Sequence, residues 1–211
     1  MKFVDQNVDQ LMNYVSLKKG GDMKIILKLL IFFGFFVFFH VGFVQESFGL
    51  SSKYDVVSKA KQGDADAQNN LGLMYFQGKG FPRYYIQAYA WFTKAAEQGN
   101  VDAQFNLGFM YNTGEGVPKD YKQAIYWYTK AAEQGDPFSQ FNLGLMYFQG
   151  KGVSKDYKQA YAWWNVAASQ GQQVYIKKYL DEVFGKMSPS QIEEGQKLSG
   201  ELYEKIYNKA K

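Results

Sequence analysis

The stretch AQFNLGFMYNTGEGVPKDYKQAIYWYTKAAEQG, Ala103 to Gly135, decides the fold because it recurs along the chain. Gly63, Gly99, Gly135 and Gly171 stand 36 residues apart, and the same step links Leu71, Leu107 and Leu143. It links Met74, Met110 and Met146, and Tyr75, Tyr111 and Tyr147. It also links the Gly-x-Gly pairs that begin at Gly78, Gly114 and Gly150. Ala88, Trp91, Ala95 and Ala96 return at Ala124, Trp127, Ala131 and Ala132, and again at Ala160, Trp163, Ala167 and Ala168. Self-similarity at a fixed period of this size marks an array of stacked supersecondary units. Three units fill 64–171, as 64–99, 100–135 and 136–171.

Each unit reads as a pair of helices, A and B. Asp64, Asn100 and Asp136 stand at N-cap positions, and Pro137 suits a first helical turn. In helix A, Ala67, Leu71, Met74 and Tyr75 share a face at helical spacing. Gly72 and its copies cost about 1 kcal/mol against Ala in a helix interior, and their recurrence points to close backbone approach to a neighbouring helix that offsets the cost. The Gly-x-Gly pair supplies a turn where side chains would clash or φ must be positive. Helix B opens with Asp120-x-x-Gln123 and Asp156-x-x-Gln159, spacings that resemble capping boxes. Tyr84 replaces the Asp in the first unit, which predicts a poorer cap. Helix B is expected to bury Tyr121, Ala124, Trp127 or Tyr128, and Ala131, and to stop at Gly135.

The flanks read as end caps. Residues 50–63 form an N-terminal capping helix, since Ala60-Lys61-Gln62-Gly63 echoes Ala96-Glu97-Gln98-Gly99. Residues 172–211 give C-terminal capping helices. Within them, 174–185 resembles a degenerate helix A, and Ser188-Pro189-Ser190-Gln191 starts a last helix over about 189–209. Met187 and Ile192 are placed for a hydrophobic staple, and Ile192, Leu198, Leu202 and Ile206 share one side. Terminal units of a solenoid depart from the pattern because one face has no neighbour. The expected fold class is therefore all-α: an α–α superhelix, or solenoid, of three 36-residue helix-turn-helix repeats with capping helices.

The N-terminus reads as a targeting region. Leu29–Phe39 is LLIFFGFFVFF, preceded by Lys24 and Lys28 and followed by Gln45, Glu46 and Ser47. This is the build of a signal peptide over 23–49, with a cleavage site near Ser47-Phe48-Gly49. An uncleaved anchor over 25–44 is the alternative, because the apolar run extends close to the length of a spanning helix. Residues 1–22 are polar and read as a mis-called extension: codons for Lys19-Gly20-Gly21-Asp22 can spell a ribosome-binding site just before Met23. An exported protein is expected, periplasmic or secreted, or else anchored in the inner membrane.

Composition narrows the chemistry. The chain has 211 residues, 46% apolar and 18% aromatic, with a net charge of +4. Removing 1–49 takes away five Lys and four acidic residues, so the body stays near +3 with no block of like charge. Nucleic acid is not an expected partner. There is no Cys, which excludes disulfides, thiolate metal sites and Cys nucleophiles. The one His, His40, lies in the apolar stretch, so the body has no imidazole. Neither Gly78-Lys79 nor Gly150-Lys151 has the spacing or following hydroxyl of a phosphate loop. Glu97 and Glu133 recur singly at helix ends rather than in pairs. No catalytic residue, metal site or cofactor is expected.

The unit from Ala103 to Gly135 resembles the Sel-1-like repeat, a relative of the tetratricopeptide repeat with a slightly longer unit. The departures are Phe81, Tyr84 and Ser139. The tail from Met187 to Gln196 is similar to the closing helix of bacterial members. The resemblance implies a right-handed α–α superhelix whose curved surface meets protein partners, with no shared chemistry. Some cysteine-rich relatives are described as binding or hydrolysing β-lactams, which makes Ser58-x-x-Lys61 and Ser16-x-x-Lys19 worth weighing. Neither is accompanied by a Ser-Asp-Asn or Lys-Thr-Gly element, and the paired Cys of those relatives are missing.

The remaining candidate is a binding surface. Opposite the core face of helix A lie Asn69, Leu73 and Phe76; Phe105, Phe109 and Asn112; Phe141, Leu145 and Phe148. This stripe reads either as a groove for a partner helix or peptide, or as the packing between adjacent units. Asn70, Asn106 and Asn142 recur beside it, to hold a peptide backbone or to bond between units. The expected partner-binding residues are Asn70, Phe76, Phe105, Asn106, Phe109, Phe141, Asn142 and Phe148. The expected function is a non-enzymatic exported scaffold that binds protein partners as a monomer. A membrane contact is expected only if 25–44 stays uncleaved.

Overall fold

The chain divides into two units, 1–53 and 54–211. The computed structural model describes residues 53–208, and for 172–175 the backbone alone. Their elements are α1 (53–61), α2 (Ala65–Gln77), α3 (Tyr85–Glu97), α4 (Val101–Thr113) and α5 (Tyr121–Ala132). α6 (Pro137–Gln149), α7 (Tyr157–Ala167), α8 (Gln173–Phe184) and α9 (Pro189–Tyr207) follow. The segment expected to be a signal peptide or anchor (23–49) and the extension expected before it (1–22) lie outside the described residues.

The caps are set residue by residue. Asp64, Asn100 and Asp136 accept from the N–H groups of Ala67 at 2.7 Å, Ala103 at 2.9 Å and Ser139 at 2.6 Å. Each thereby satisfies a donor that the helix itself cannot. Asp120 accepts from Lys122 and Gln123, and Asp156 from Lys158 and Gln159. Here the expected reciprocal half of the box is absent. The Asp120 and Asp156 N–H groups donate instead to Tyr111 and Tyr147 carbonyls at the end of the preceding helix A. Tyr84 makes no side-chain cap bond, as its chemistry dictates. Gly135 takes φ 96°, and the Asp136 N–H reaches back to the Ala131 carbonyl, closing α5 with a Schellman turn.

Within each pair, helices A and B pack as a hairpin, and each B then packs on the next A. The recurrent mid-helix glycine is explained by a ring rather than by backbone. A Cβ on Gly72 would stand 2.6 Å from the Phe92 ring, and one on Gly108 would stand 2.5 Å from Tyr128. Gly144 meets the Trp164 indole in the same way. Helix B thus buries Phe92, Tyr128 and Trp164, the residue after the recurrent Trp; Trp91 and Trp127 are only half-buried. Full burial of such rings contributes about 1.5–3 kcal/mol each. They share the core with Leu71, Leu107, Leu143, Met110 and the small Ala88, Ala124 and Ala160.

Polar side chains stitch the repeats. Gln68, Gln104 and Gln140 are buried and donate to the Ala60, Ala96 and Ala132 carbonyls at 3.1–3.2 Å. Gln98, Gln134 and Gln170 donate in turn to their side-chain oxygens. Both glutamine sets recur at the 36-residue step.

The C-terminal pair departs from the hairpin. α8 takes the place of a helix A against α7, burying Ile176 and Val183. After a wide turn in which Gln170 and Gly171 leave helical geometry, the chain continues through α8 to Ser188. Ser188 and Gln191 form a reciprocal capping box, and Met187 and Ile192 pack in one cluster as the staple requires. α9 then runs parallel to α7. Lys158 pairs with Glu194, Asn165 donates to the buried Ser199, and Gln170 donates to the Tyr207 hydroxyl. Leu202 and Ile206 reach Trp163 and the α5–α6 core.

Candidate functional site

The helix A stripe is where the sequence places the candidate residues, and the structure brings them together in two different ways. The five phenylalanines are half-buried and occupied by packing. Phe76 lies edge-on to Tyr85 at 5.2 Å and to Phe109 at 6.0 Å, so Phe109 is its partner from the next repeat. Phe105 rests on Tyr128 at 5.9 Å and Phe138 at 6.1 Å. Phe141 lies edge-on to Tyr179 at 5.1 Å and near Trp164. Phe148 sits against Trp164 at 5.5 Å and Tyr157 at 5.6 Å. These rings fill the joints between helices, at the centroid separations aromatic pairs prefer. Asn69 is buried rather than outward-facing.

The amides divide similarly. Asn106 donates to the Asn69 side chain at 3.0 Å, a bond between repeats. Asn142 donates to the Phe138 carbonyl one turn back at 2.8 Å. Asn70 is exposed.

One residue on this face escaped the sequence reading. Phe138, on the first turn of α6, is 58% exposed. It stands one turn from Asn142, and its counterparts in the other repeats are Asp66 and Asp102. The replacement of an acid by an aromatic at a repeating surface position was the available signal. A large exposed ring beside amides is the composition of a binding anchor.

Titratable groups here are tyrosines. The Tyr89 and Tyr111 hydroxyls meet at 2.9 Å, and burial together with that bond pushes the Tyr111 phenol up to about 12. Burial drives Tyr128 well above the ordinary value, and raises Tyr147 as well. In each case the neutral phenol is favoured because charge is poorly solvated there. Ser58 is exposed on α1 and accepts from Gln62 Nε2 at 3.1 Å, its neighbour one turn on. Among the described residues, no three His, Cys, Asp or Glu side chains are grouped to hold a metal ion.

Stacked hairpins with ring-filled joints and an amide ladder define an α-solenoid, the right-handed α–α superhelix. The Sel1 repeat family matches at residues 65–100, 101–136 and 137–172, more than half of the chain, and the chain belongs to that family. Two solved structures are similar. One is a protective antigen present in uropathogenic Escherichia coli strains and displaying an SLR fold, 39% identical with a TM-score of 0.68. The match covers 74% of this chain and 33% of that one, so the chain spans about a third of the antigen's length. The other is a Sel1 repeat protein from Oxalobacter formigenes, 40% identical with a TM-score of 0.57, covering 62% of this chain and 98% of that one. No curated protein matches the chain.

Proposed function

We propose that this Sel1 repeat solenoid is a non-catalytic, exported scaffold that binds protein partners along its helix A face. The observation that carries the reading is Phe138, exposed on α6 beside Asn142 and in line with Asn106 and Asn70 of the preceding repeats. Phe138 serves as the anchor that a partner's pocket covers. The flanking amides supply hydrogen bonds to an extended backbone. The half-buried phenylalanines give the face its shape rather than its contacts. Export rests on the apolar run Leu29–Phe39 behind Lys24 and Lys28. The description of one relative as a protective antigen supports it.

Crosslinking pull-down from the native cell tests the reading, comparing wild type with Phe138→Glu. The variant is expected to keep its helical circular dichroism, because the side chain is exposed, and to lose its crosslinked partners. Unchanged partners would overturn the helix A face as the docking surface. Phe105→Glu/Phe141→Glu, which sets charges against Tyr128 and Trp164, is expected to unfold the chain instead. Cell fractionation checks export; recovery of the protein in the cytoplasm would remove that half of the reading.

A further inference from the structure

Charge that is evenly spread along this sequence is not evenly spread in space. The 36-residue period returns every A–B turn to one edge of the solenoid, and those turns carry Lys79, Arg83, Lys119, Lys151 and Lys155. Lys122 adds to them from the first turn of α5. All six are exposed, and among the described residues none lies within ion-pair distance of a carboxylate. The acids of these turns are Glu115, Asp120 and Asp156, and the last two are engaged by the N–H groups of the helices they cap; at the C-terminal end of the edge Glu194 pairs with Lys158 and Glu182 with Lys186. The opposite edge, at the B–A turns, carries Asp64, Asp66, Glu97, Asp102, Glu133 and Asp136.

The basic edge is continuous. A Cβ on Gly116 would stand 2.6 Å from Tyr85 Cβ, and one on Gly152 2.7 Å from Tyr121 Cβ. Each turn therefore rests on the first residue of the preceding repeat's second helix, and no gap separates the rows. The Arg83 guanidinium lies 5.9 Å from the Tyr85 ring. Lys119 and Lys151, from successive repeats, lie 6.0 Å and 5.8 Å from the Tyr121 ring. Tyr84 and Ile86, 51% and 60% exposed, stand beside Arg83 at the start of α3.

We propose that this edge seats on the surface of an anionic phospholipid bilayer. A row of unpaired cations on short turns matches a surface of uniform negative charge, which needs no complementary shape. Each cation near such a surface adds roughly a fivefold gain in partitioning. Exposed Tyr and Ile beside lysines are the side chains that settle at the headgroup boundary, where lysine stems lie along apolar material and their ammonium groups stay wet. Single-stranded nucleic acid is a poorer match, because it is held by rings presented for stacking, whereas Tyr85 and Tyr121 are half-buried under the next turn. The chain's own apolar run at Leu29–Phe39 places a membrane in its path. The contact proposed does not depend on whether that run is later cleaved, nor on the helix A face.

Vesicle flotation of the purified full chain tests the proposal. The probes are phosphatidylcholine vesicles and vesicles in which a third of the lipid is phosphatidylglycerol. Any affinity from the apolar run enters both, so the contrast between them reports the edge. Wild type is expected to prefer the anionic vesicles, with the preference fading as salt rises. Lys119→Gln/Lys151→Gln/Lys155→Gln is expected to reduce that preference roughly 100-fold, while Lys94→Gln/Lys130→Gln, on the outer ends of the second helices, leaves it in place. Equal binding to the two vesicle types would overturn the proposal, as would an equal loss per charge removed in the two variants, which would indicate net charge alone. Capture of an acidic peptide or oligonucleotide that the triple variant abolishes, with vesicle binding untouched, would overturn it in favour of a macromolecular partner.

Discussion

Tyr128 fills the place that Phe92 holds one repeat earlier and Trp164 one repeat later, yet its hydroxyl is buried without a hydrogen-bond partner. Trp164 solves the same problem by donating to the Phe141 carbonyl at 3.1 Å. An unpaired buried hydroxyl costs about 1–3 kcal/mol, so Tyr128→Phe is expected to raise the melting temperature by about 3 °C. It also changes the alkaline limb. The folded chain holds this phenol neutral above its ordinary value, so its contribution is complete below about pH 10 and is lost as pH rises further. In Tyr128→Phe that part of the loss disappears, and the pH dependence of unfolding by circular dichroism reads it directly. Gly108 gives the opposite sign. Alanine there gains about 1 kcal/mol of helix propensity but drives a methyl into the Tyr128 ring, an overpacking cost of about 1–3 kcal/mol. Gly108→Ala is expected to lower the melting temperature by a few degrees. Gly200→Ala, in α9 with nothing within 4 Å, is expected to raise it. The recurrence of Gly72, Gly108 and Gly144 announced a close approach, but one expected of backbone. It did not say that a ring makes it, because Trp127 and Tyr128 are adjacent aromatics and the helical period cannot choose between neighbours one step apart.

α9 is the element that departs most from the repeat, and its position leaves a trace in α7. The outward positions of the second helices read Ala90 and Lys94, then Tyr126 and Lys130, all exposed. In α7 the same positions are Ala162 and Val166, both buried, because α9 covers them. A lysine turning to valine at a repeating surface position therefore encoded the docking site of the last helix. Where α9 would end was beyond that signal, since the Tyr207 hydroxyl closes onto Gln140 and Gln170, residues 67 and 37 positions away. Stopping the chain after Met187 exposes Ala162, Trp163 and Val166 together, a loss of several kcal/mol by side-chain burial alone. Hydrogen exchange on the truncated protein is expected to show protection falling most in α7 and α6 and least in α2 and α3, because coupling in a solenoid passes between neighbours. A uniform loss of protection across all helices would instead show that α9 supports the whole array as one unit.

At the scale of the whole molecule, the joints are interchangeable, which makes a strong claim about how the fold is held. The 36-residue step was legible because the caps, the turn glycines and the core leucines are all tied to it. The glutamine ladder obeys the same step, but glutamines at helix ends are ordinarily solvated, and only packing shows Gln104 buried between Ala96 and Gln134. If nearest-neighbour contacts carry the stability, the middle repeat can be removed without a misfit. Deleting 100–135 joins Gly99 to Asp136, as Gly135 joins it now. It would set Gly152 on Tyr85 in place of Tyr121, two residues of the same type at equivalent sites. Gln170 would then find the Gly99 carbonyl where it now finds that of Gly135, as Gln134 does in the full chain. The shortened chain is expected to keep its helicity per residue and to unfold cooperatively in urea, with a denaturant slope smaller by about a quarter, the share of packed chain removed. Its midpoint is expected to fall, since one complete hairpin and one interface are lost while both end caps remain. Collapse to a disordered chain on that deletion would show that contacts spanning more than one repeat, rather than this set of equivalent joints, hold the solenoid together.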